Sequence, residues 1–244
     1  MPIVFLLTAC FDTNSKKDSA DTGYLTEMIC EEAVGVECQD ALFLDLGLQD
    51  TISDGAITNT VDGNDYITTI DATAGGYQQA ATSPWVYLRF TDDGAEKVEL
   101  SDEEALERLD WDMSLRRFLL RLNGGSSGPS CVGAAVFMEE SYSSLSDVPE
   151  ATPFTLDNYY TSDCSLINDS SGLDNSPQTA LSPWWEYPGC VATTGYPFAI
   201  QLADGRLVKM VVEQYYAEGQ DVCNESGNMG SGSANFTIRW SFLN

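Results

Sequence analysis

In the longest apolar segments of this chain the hydrophobic residues recur at every second position, a period that demands strands rather than helices. Trp85-Val-Tyr-Leu-Arg-Phe, Asp65-Tyr-Ile-Thr-Thr-Ile-Asp-Ala and Phe236-Thr-Ile-Arg-Trp-Ser-Phe all alternate, so each buries one face and turns the other outward. Turn signals punctuate them. Asp92-Asp93-Gly94 follows the first segment, and Ala203-Asp204-Gly205 divides Pro197–Leu202 from Arg206–Tyr216, which predicts two antiparallel hairpins. Trp111–Leu122 reads as one long strand stopped by Asn123-Gly124-Gly125. Ser101-Asp-Glu-Glu spells a capping box, and Ala105, Leu106 and Leu109 continue at helical spacing, so a short helix is expected there. Residues 163–182 and 219–234, rich in Ser, Asn, Gly and Asp, read as loops. No internal repeat is present. The expected class is all-β, mostly antiparallel, with long loops and at most one or two short helices.

The N-terminus carries a different signal. MPIVFLLTAC is an apolar run ending in Leu7-Thr8-Ala9-Cys10, which resembles a bacterial lipobox, whose cysteine is lipidated and becomes the first mature residue. The polar stretch Asp12–Thr22 is the tether such an anchor needs, and Phe11 is not the aspartate that usually retains lipoproteins at the inner membrane. Signal peptides carry a positive n-region; no basic residue precedes this run, so the expected start lies upstream of Met1. The organisation read from this is a signal remnant at 1–10, a tether at 11–24 and a single β domain at 25–244. No later segment approaches eighteen apolar residues, so membrane contact is expected only through lipid. Setting Cys10 aside leaves Cys30, Cys38, Cys131, Cys164, Cys190 and Cys223. An even number in an exported chain argues for disulfides. Cys30 and Cys38 are expected to close a small local loop, and the other four to tie loops in the C-terminal half. The spacing lacks the C-x2-C knuckle of a zinc site.

Charge excludes several functions. Against 38 Asp+Glu stand 11 Lys+Arg and no histidine, a formal net charge of −27. Such a surface repels phosphate backbones, so nucleic acid is not an expected partner. Without imidazole there is no Ser-His-Asp or Cys-His pair, no HExxH helix and no histidine-ligated haem. At 43% hydrophobic and 11% aromatic residues the chain can bury a core, so its acidity is surface charge rather than disorder. Gly124-Gly-Ser-Ser-Gly128 matches a hydrolase elbow in spelling, but nothing activates Ser126. Carboxylates are too numerous for a glycosidase dyad to stand out. Asp62-Gly-Asn-Asp65 and Asn168-Asp-Ser-Ser-Gly-Leu-Asp174 offer oxygen donors without EF-hand spacing and read as solvated turns. The chain is not expected to be an enzyme.

Several of these segments, in this order, carry a resemblance. Trp85-Val-Tyr-Leu-Arg-Phe is followed by Trp111-Asp112, by Asn123-Gly124-Gly125-Ser-Ser-Gly128 and by Trp184-Trp185-Glu-Tyr187. Leu202-Ala-Asp-Gly-Arg-Leu-Val-Lys209 and the closing Phe236-Thr-Ile-Arg-Trp complete the series. Over roughly residues 65–244 the chain resembles the HmuY family of haem-binding lipoproteins, haemophore-like proteins of Gram-negative bacteria. The resemblance implies a single all-β fold and anchoring at the outer membrane or cell surface through the lipidated cysteine. It also implies haem or a related porphyrin, held between two axial side chains and passed on to an outer-membrane receptor.

Histidine pairs serve as axial ligands in some members of that family, and methionine pairs resemble the solution in others. Only thioethers are available here, and Met113 and Met138 lie in and after the motif region where the family places its ligands. Strand alternation puts Met113 on the face of Trp111 and Leu115, which equally suits a core residue. Met138 follows Val132-Gly-Ala-Ala-Val-Phe, where it suits a pocket rim, and precedes Glu139-Glu140, poor neighbours for propionates. Met210 and Met229 are weaker candidates. Arg116, Arg117 and Arg121 form a basic cluster in which, on one strand, Arg117 and Arg121 share a face with Arg116 opposite. Arg117 and Arg121 are candidates for an anion such as a propionate, with pairing to local acids the plainer reading. Trp184, Trp185, Tyr187, Tyr159-Tyr160 and Tyr215-Tyr216 suit either a groove or packing. The alternative to haem is a surface protein that keeps this fold and binds another small apolar ligand or partner.

Overall fold

The computed structural model describes residues 30–243; Cys10 and the tether lie outside them. Twelve strands and three α-helices follow one another among the described residues, and of the helices only α1 is longer than six residues. After α1 (Gln39–Leu46) come the hairpin β1 (Ile57–Asp62) and β2 (Asp65–Asp71) and the hairpin β3 (Val86–Thr91) and β4 (Gly94–Val98). The short α2 (Asp102–Ala105) then leads into β5 (Met113–Arg116), β6 (Leu119–Leu122) and β7 (Gly133–Val136). After a long irregular stretch come β8 (Trp185–Glu186) and β9 (Ala192–Thr193), then β10 (Phe198–Gln201) and β11 (Leu207–Tyr216). The chain closes with α3 (Asp221–Ser226) and β12 (Ser233–Leu243). Every strand pairing is antiparallel. One sheet has six strands in the order β1-β2-β12-β11-β10-β7, a second has four in the order β4-β3-β5-β6, and β8-β9 form a third, two-stranded ribbon.

Alternation places two cores. On β3, Val86, Leu88 and Phe90 face the six-stranded sheet and join Met113, Leu115, Leu120 and Leu122 in the larger cluster, with Ile238 and Trp240 from the opposite side. Trp85 and Tyr87 point the other way, into a second cluster with Leu42 and Leu46 of α1, Leu100, Trp111 and Tyr159. Fully burying a large apolar side chain contributes about 1.5–3 kcal/mol. Trp240 adds a donor that must be satisfied: its Nε1 donates to Thr68 Oγ1 at 2.8 Å while Tyr66 stacks on the ring at 4.7 Å. The capping box forms as expected. Glu104 N–H donates to Ser101 Oγ at 3.2 Å, and the Glu104 carboxylate accepts Ser101 N–H at 2.9 Å.

Two expectations are corrected. The expected strand 111–122 is a hairpin: β5 reverses at Arg117-Phe118, where Arg117 sits at φ +54°, and pairs Ser114 with Arg121. The reversal turns Arg116 and Arg121 to the same face, into the second core, and leaves Arg117 at the turn. The cysteines pair at long range, Cys30–Cys131, Cys38–Cys164 and Cys190–Cys223, with Cα–Cα distances of 6.1, 5.4 and 5.9 Å. Cys30 and Cys38 do not pair, because the N-terminal segment runs along the body of the protein. Its backbone N–H groups donate to Ala203 O and Pro129 O, and each cysteine meets a partner from the segment it crosses.

Acids are also buried. Asp157 accepts Leu122 N–H (2.9 Å), Ala180 N–H (2.7 Å) and Ser127 Oγ–H (2.6 Å), and Asp112 accepts Phe90 N–H (2.7 Å). Burial outweighs these donors and pushes both carboxyl groups up to about 6, from about 3.9 in an unfolded chain. Between those values the folded state holds more protons, so their contribution to stability is greatest below about pH 4 and is lost as the pH rises through 6. The melting temperature is therefore expected to be higher at pH 5 than at pH 7.5. Asp112→Asn, which keeps an acceptor for Phe90, should flatten that slope; an unchanged slope in the variant refutes the assignment. Non-reducing peptide mapping should recover the three cross-linked pairs. Replacing Cys38 and Cys164 together by serine is expected to cost about 2–5 kcal/mol in urea unfolding.

Candidate ligand-binding groove

An open groove of 1020 Å³ runs along β7, the outermost strand of the six-stranded sheet. This is at the upper end of the roughly 300–1,000 Å³ of ligand pockets. Ala134, Ala135 and Val136 contribute small side chains to its lining. The segment around Thr155 pairs with β7 through Ala134 N–H to Thr155 O (2.9 Å) and Thr155 N–H to Ala134 O (2.8 Å), so the strand's edge is not free. Thr152 and Pro153, the turn 168–171, and residues between Gln178 and Pro188 complete the walls.

The aromatic wall follows from one local arrangement. A 3-10 turn over Ser182–Trp184 turns Trp184 into the core, where its Nε1 donates to Phe118 O at 3.2 Å. Trp185 then packs on Phe118 at 4.8 Å between centroids, and Tyr187 lies edge-on to Trp185 at 6.2 Å. Tyr187 is 39% exposed. The Cys190–Cys223 bridge and Val191 N–H to Tyr216 Oη (3.0 Å) fasten the β8-β9 ribbon to the body. Met138 borders the same groove, 54% exposed, just beyond Phe137, whose N–H donates to Pro197 O at 2.9 Å.

Asp169 and Glu186 are the charged residues of the lining, which contains no Lys or Arg. Asp169 is already engaged, accepting Ser171 N–H at 3.0 Å and Ser176 Oγ–H at 2.8 Å. This turn is the expected solvated one. Asp62 and Asp65 instead pair with Arg239 at 2.9 and 3.4 Å. Among the described residues no group of three or more His, Cys, Asp or Glu is placed to hold a metal ion.

Of the four residues singled out for haem, the structure brings only Met138 to the groove. Met113 is fully buried in the larger core, opposite Leu88 and Leu122. Arg121 is fully buried in the second core, its guanidinium 4.0 Å over the Trp85 ring. Arg117 donates from Nη2 to Ser233 Oγ at 3.0 Å and is not part of the lining. Met210 is buried and Met229 exposed. The Gly124–Gly128 loop is structural: a Cβ on Gly125 would meet Asp157 O at 2.0 Å, and Ser127 serves Asp157. Of the groove's aromatics, Trp185 and Tyr187 were visible in the sequence as a cluster. The walls at 152–155 and 168–171 had no signal beyond loop composition.

A family model for HmuY protein matches residues 81–227. No curated protein matches the sequence. Among solved structures, an HmuY-like haem-binding protein of Bacteroides vulgatus is 18% identical, with a TM-score of 0.45 over 75% of this chain and 95% of that one. A lipoprotein of Bacteroides fragilis is 16% identical, with a TM-score of 0.46 over 74% and 93%. An apo HmuY analogue of Tannerella forsythia is 15% identical, with a TM-score of 0.41 over 80% and 100%. The family model spans more than half of the chain, from the residues just before β3 to the end of α3, and on that match the protein belongs to the HmuY family.

Proposed function

We propose that this protein binds haem or a related porphyrin in the β7 groove and does so at the cell surface, held by lipid on Cys10. The observation that carries the reading is a half-exposed thioether, Met138, bordering the same groove as Trp185 and Tyr187. Aromatic and proline side chains suit the faces of a flat macrocycle, and a thioether sulfur is a soft donor to its iron. With no cation in the lining, the propionates would project through the open mouth into water. The family is one of binding proteins, so no catalytic role is assigned. A receiving receptor in the outer membrane and the tether at 11–24 belong to the same reading. The second reading, a non-haem binding protein on the same fold, is favoured by Asp169 and Glu186 in the lining, since carboxylates repel an anionic porphyrin.

Haemin titration of the folded protein is expected to shift the Soret band, with tighter binding after reduction to ferrous haem. Met138→Ala should weaken binding by at least about tenfold, roughly 1.4 kcal/mol, and change stability by no more than about 0.5 kcal/mol. Met113→Ala should do the reverse, costing about 2–5 kcal/mol of stability with haem affinity kept. No Soret shift with either oxidation state would leave the non-haem reading. For the anchor, the full-length precursor expressed in a Gram-negative host should enter the detergent phase, and Cys10→Ser should move it to the aqueous phase. Unchanged partitioning would end the lipoprotein reading.

A further inference from the structure

A second cleft, of 800 Å³, opens on the outer face of the six-stranded sheet and shares no lining residue with the β7 groove. Its position follows from alternation: Val208 and Met210 of β11 are buried in the core, so Lys209 between them projects to the opposite face. Lys209 is paired across the sheet with Ser241, and Val211 with Arg239, of β12. The loop after β7 closes one side. Tyr142 Oη donates to Asp65 at 2.9 Å, lies 3.3 Å from Ser241 Oγ, and sets its ring 4.3 Å from the Lys209 ammonium. Tyr66 and Phe242 also border the cleft, but their rings turn to the core side, against Trp240.

Lys209 is exceptional in its charge environment. Arg239 in the same cleft is neutralised, with Glu213 at 2.6 Å, Asp62 at 2.9 Å and Asp65 at 3.4 Å. Arg89, Lys97, Arg108 and Arg206 also pair with carboxylates. Arg116, Arg117 and Arg121 donate to carbonyl or hydroxyl oxygens. Among the described basic residues, Lys209 alone has neither an ion pair nor a hydrogen bond from its charged group and is held against a ring. In a chain with 38 acidic residues against 11 basic ones, an ammonium with no carboxylate within 4.0 Å, even with Asp65 in the same lining, is free to pair with an anion brought from outside. A cation over an aromatic face retains its charge toward such an anion, and the Tyr142 ring beside it suits a flat apolar body.

We propose that this cleft binds a small planar ligand carrying a carboxylate, with the carboxylate on Lys209 and the ring system beside Tyr142. Isothermal titration calorimetry with 2-naphthoate and its neutral isostere 2-naphthamide tests it. The expected result is one site for naphthoate and binding of naphthamide at least about tenfold weaker. Lys209→Gln should lower naphthoate affinity to that of the amide, Lys209→Arg should restore most of it, and Met138→Ala should leave it unchanged. Circular dichroism of each variant confirms that the sheet is intact. Equal binding of acid and amide, unaltered naphthoate binding in Lys209→Gln, or no heat with either ligand at millimolar concentration would overturn the proposal. None of these outcomes depends on whether haem binds elsewhere.

Discussion

A single buried cation organises the half of the molecule that faces away from the large sheet. Arg121 is fully enclosed, and an enclosed charge is stable only if its neighbours replace the water it has lost. They do so at two of its three nitrogens, leaving Nη1 without a hydrogen-bond partner: Nη2 donates to Tyr87 Oη at 3.1 Å, and Tyr87 Oη–H donates to Asp102 Oδ1 at 3.0 Å. Asp102 in turn accepts Trp85 N–H at 3.0 Å and Gln49 N–H at 2.9 Å. Nε of Arg121 reaches Ser114 Oγ at 3.3 Å, and Asp157 and Tyr159 complete the electrostatic surroundings. One guanidinium thus couples β3, β5 and β6 to the N-terminus of α2 and to the segment around Asp157 and Tyr159. Burial pushes the Tyr87 hydroxyl well above its ordinary range, so it stays a donor at all physiological pH values. Breaking such a network from one side costs about 3–5 kcal/mol.

The neighbouring Arg116 performs a different task with the same side chain. It donates to Leu46 O and Gly47 O, satisfying carbonyls that the C-terminus of α1 leaves without helical partners, and to Ser83 O. Its guanidinium also lies 4.7 Å from the Trp85 ring, on which Arg121 stacks at 4.0 Å. Trp85 therefore carries two cations. Desolvation, with the nearby Arg121 charge adding to it, holds Arg116 down to about 10. The basic cluster in the sequence is real, and its purpose is internal.

Which parts of this were legible beforehand follows from the range of each signal. Strand alternation and the turns Asp92-Asp93-Gly94 and Ala203-Asp204-Gly205 are local, and the hairpins β3-β4 and β10-β11 form where those signals stand. The reversal at Arg117-Phe118 escaped because neither residue announces a turn; the left-handed backbone at Arg117 is imposed by packing. The apolar period continues through that turn, so one strand and a tight hairpin look alike. Disulfide partners over 100 residues apart, such as Cys38 and Cys164, depend on how the chain wraps. The groove was legible only in part. Met138 and the Trp184-Trp185-Glu-Tyr187 cluster stood out, whereas its other walls come from irregular segments that sequence marks only as loops.

The bridges near the N-terminus also determine how the protein bears a pull. A lipid on Cys10 would leave residues 11–29 between it and Cys30, at most about 70 Å of chain. Beyond it, tension does not have to be met by hydrogen bonds peeling one at a time. It passes at Cys30 into a covalent link to Cys131, next to β7, and at Cys38 into a second link to Cys164. A pull on this end of the chain would therefore load sulfur–sulfur bonds before it could strip residues 30–38 from the body, and the force would enter the fold beside β7.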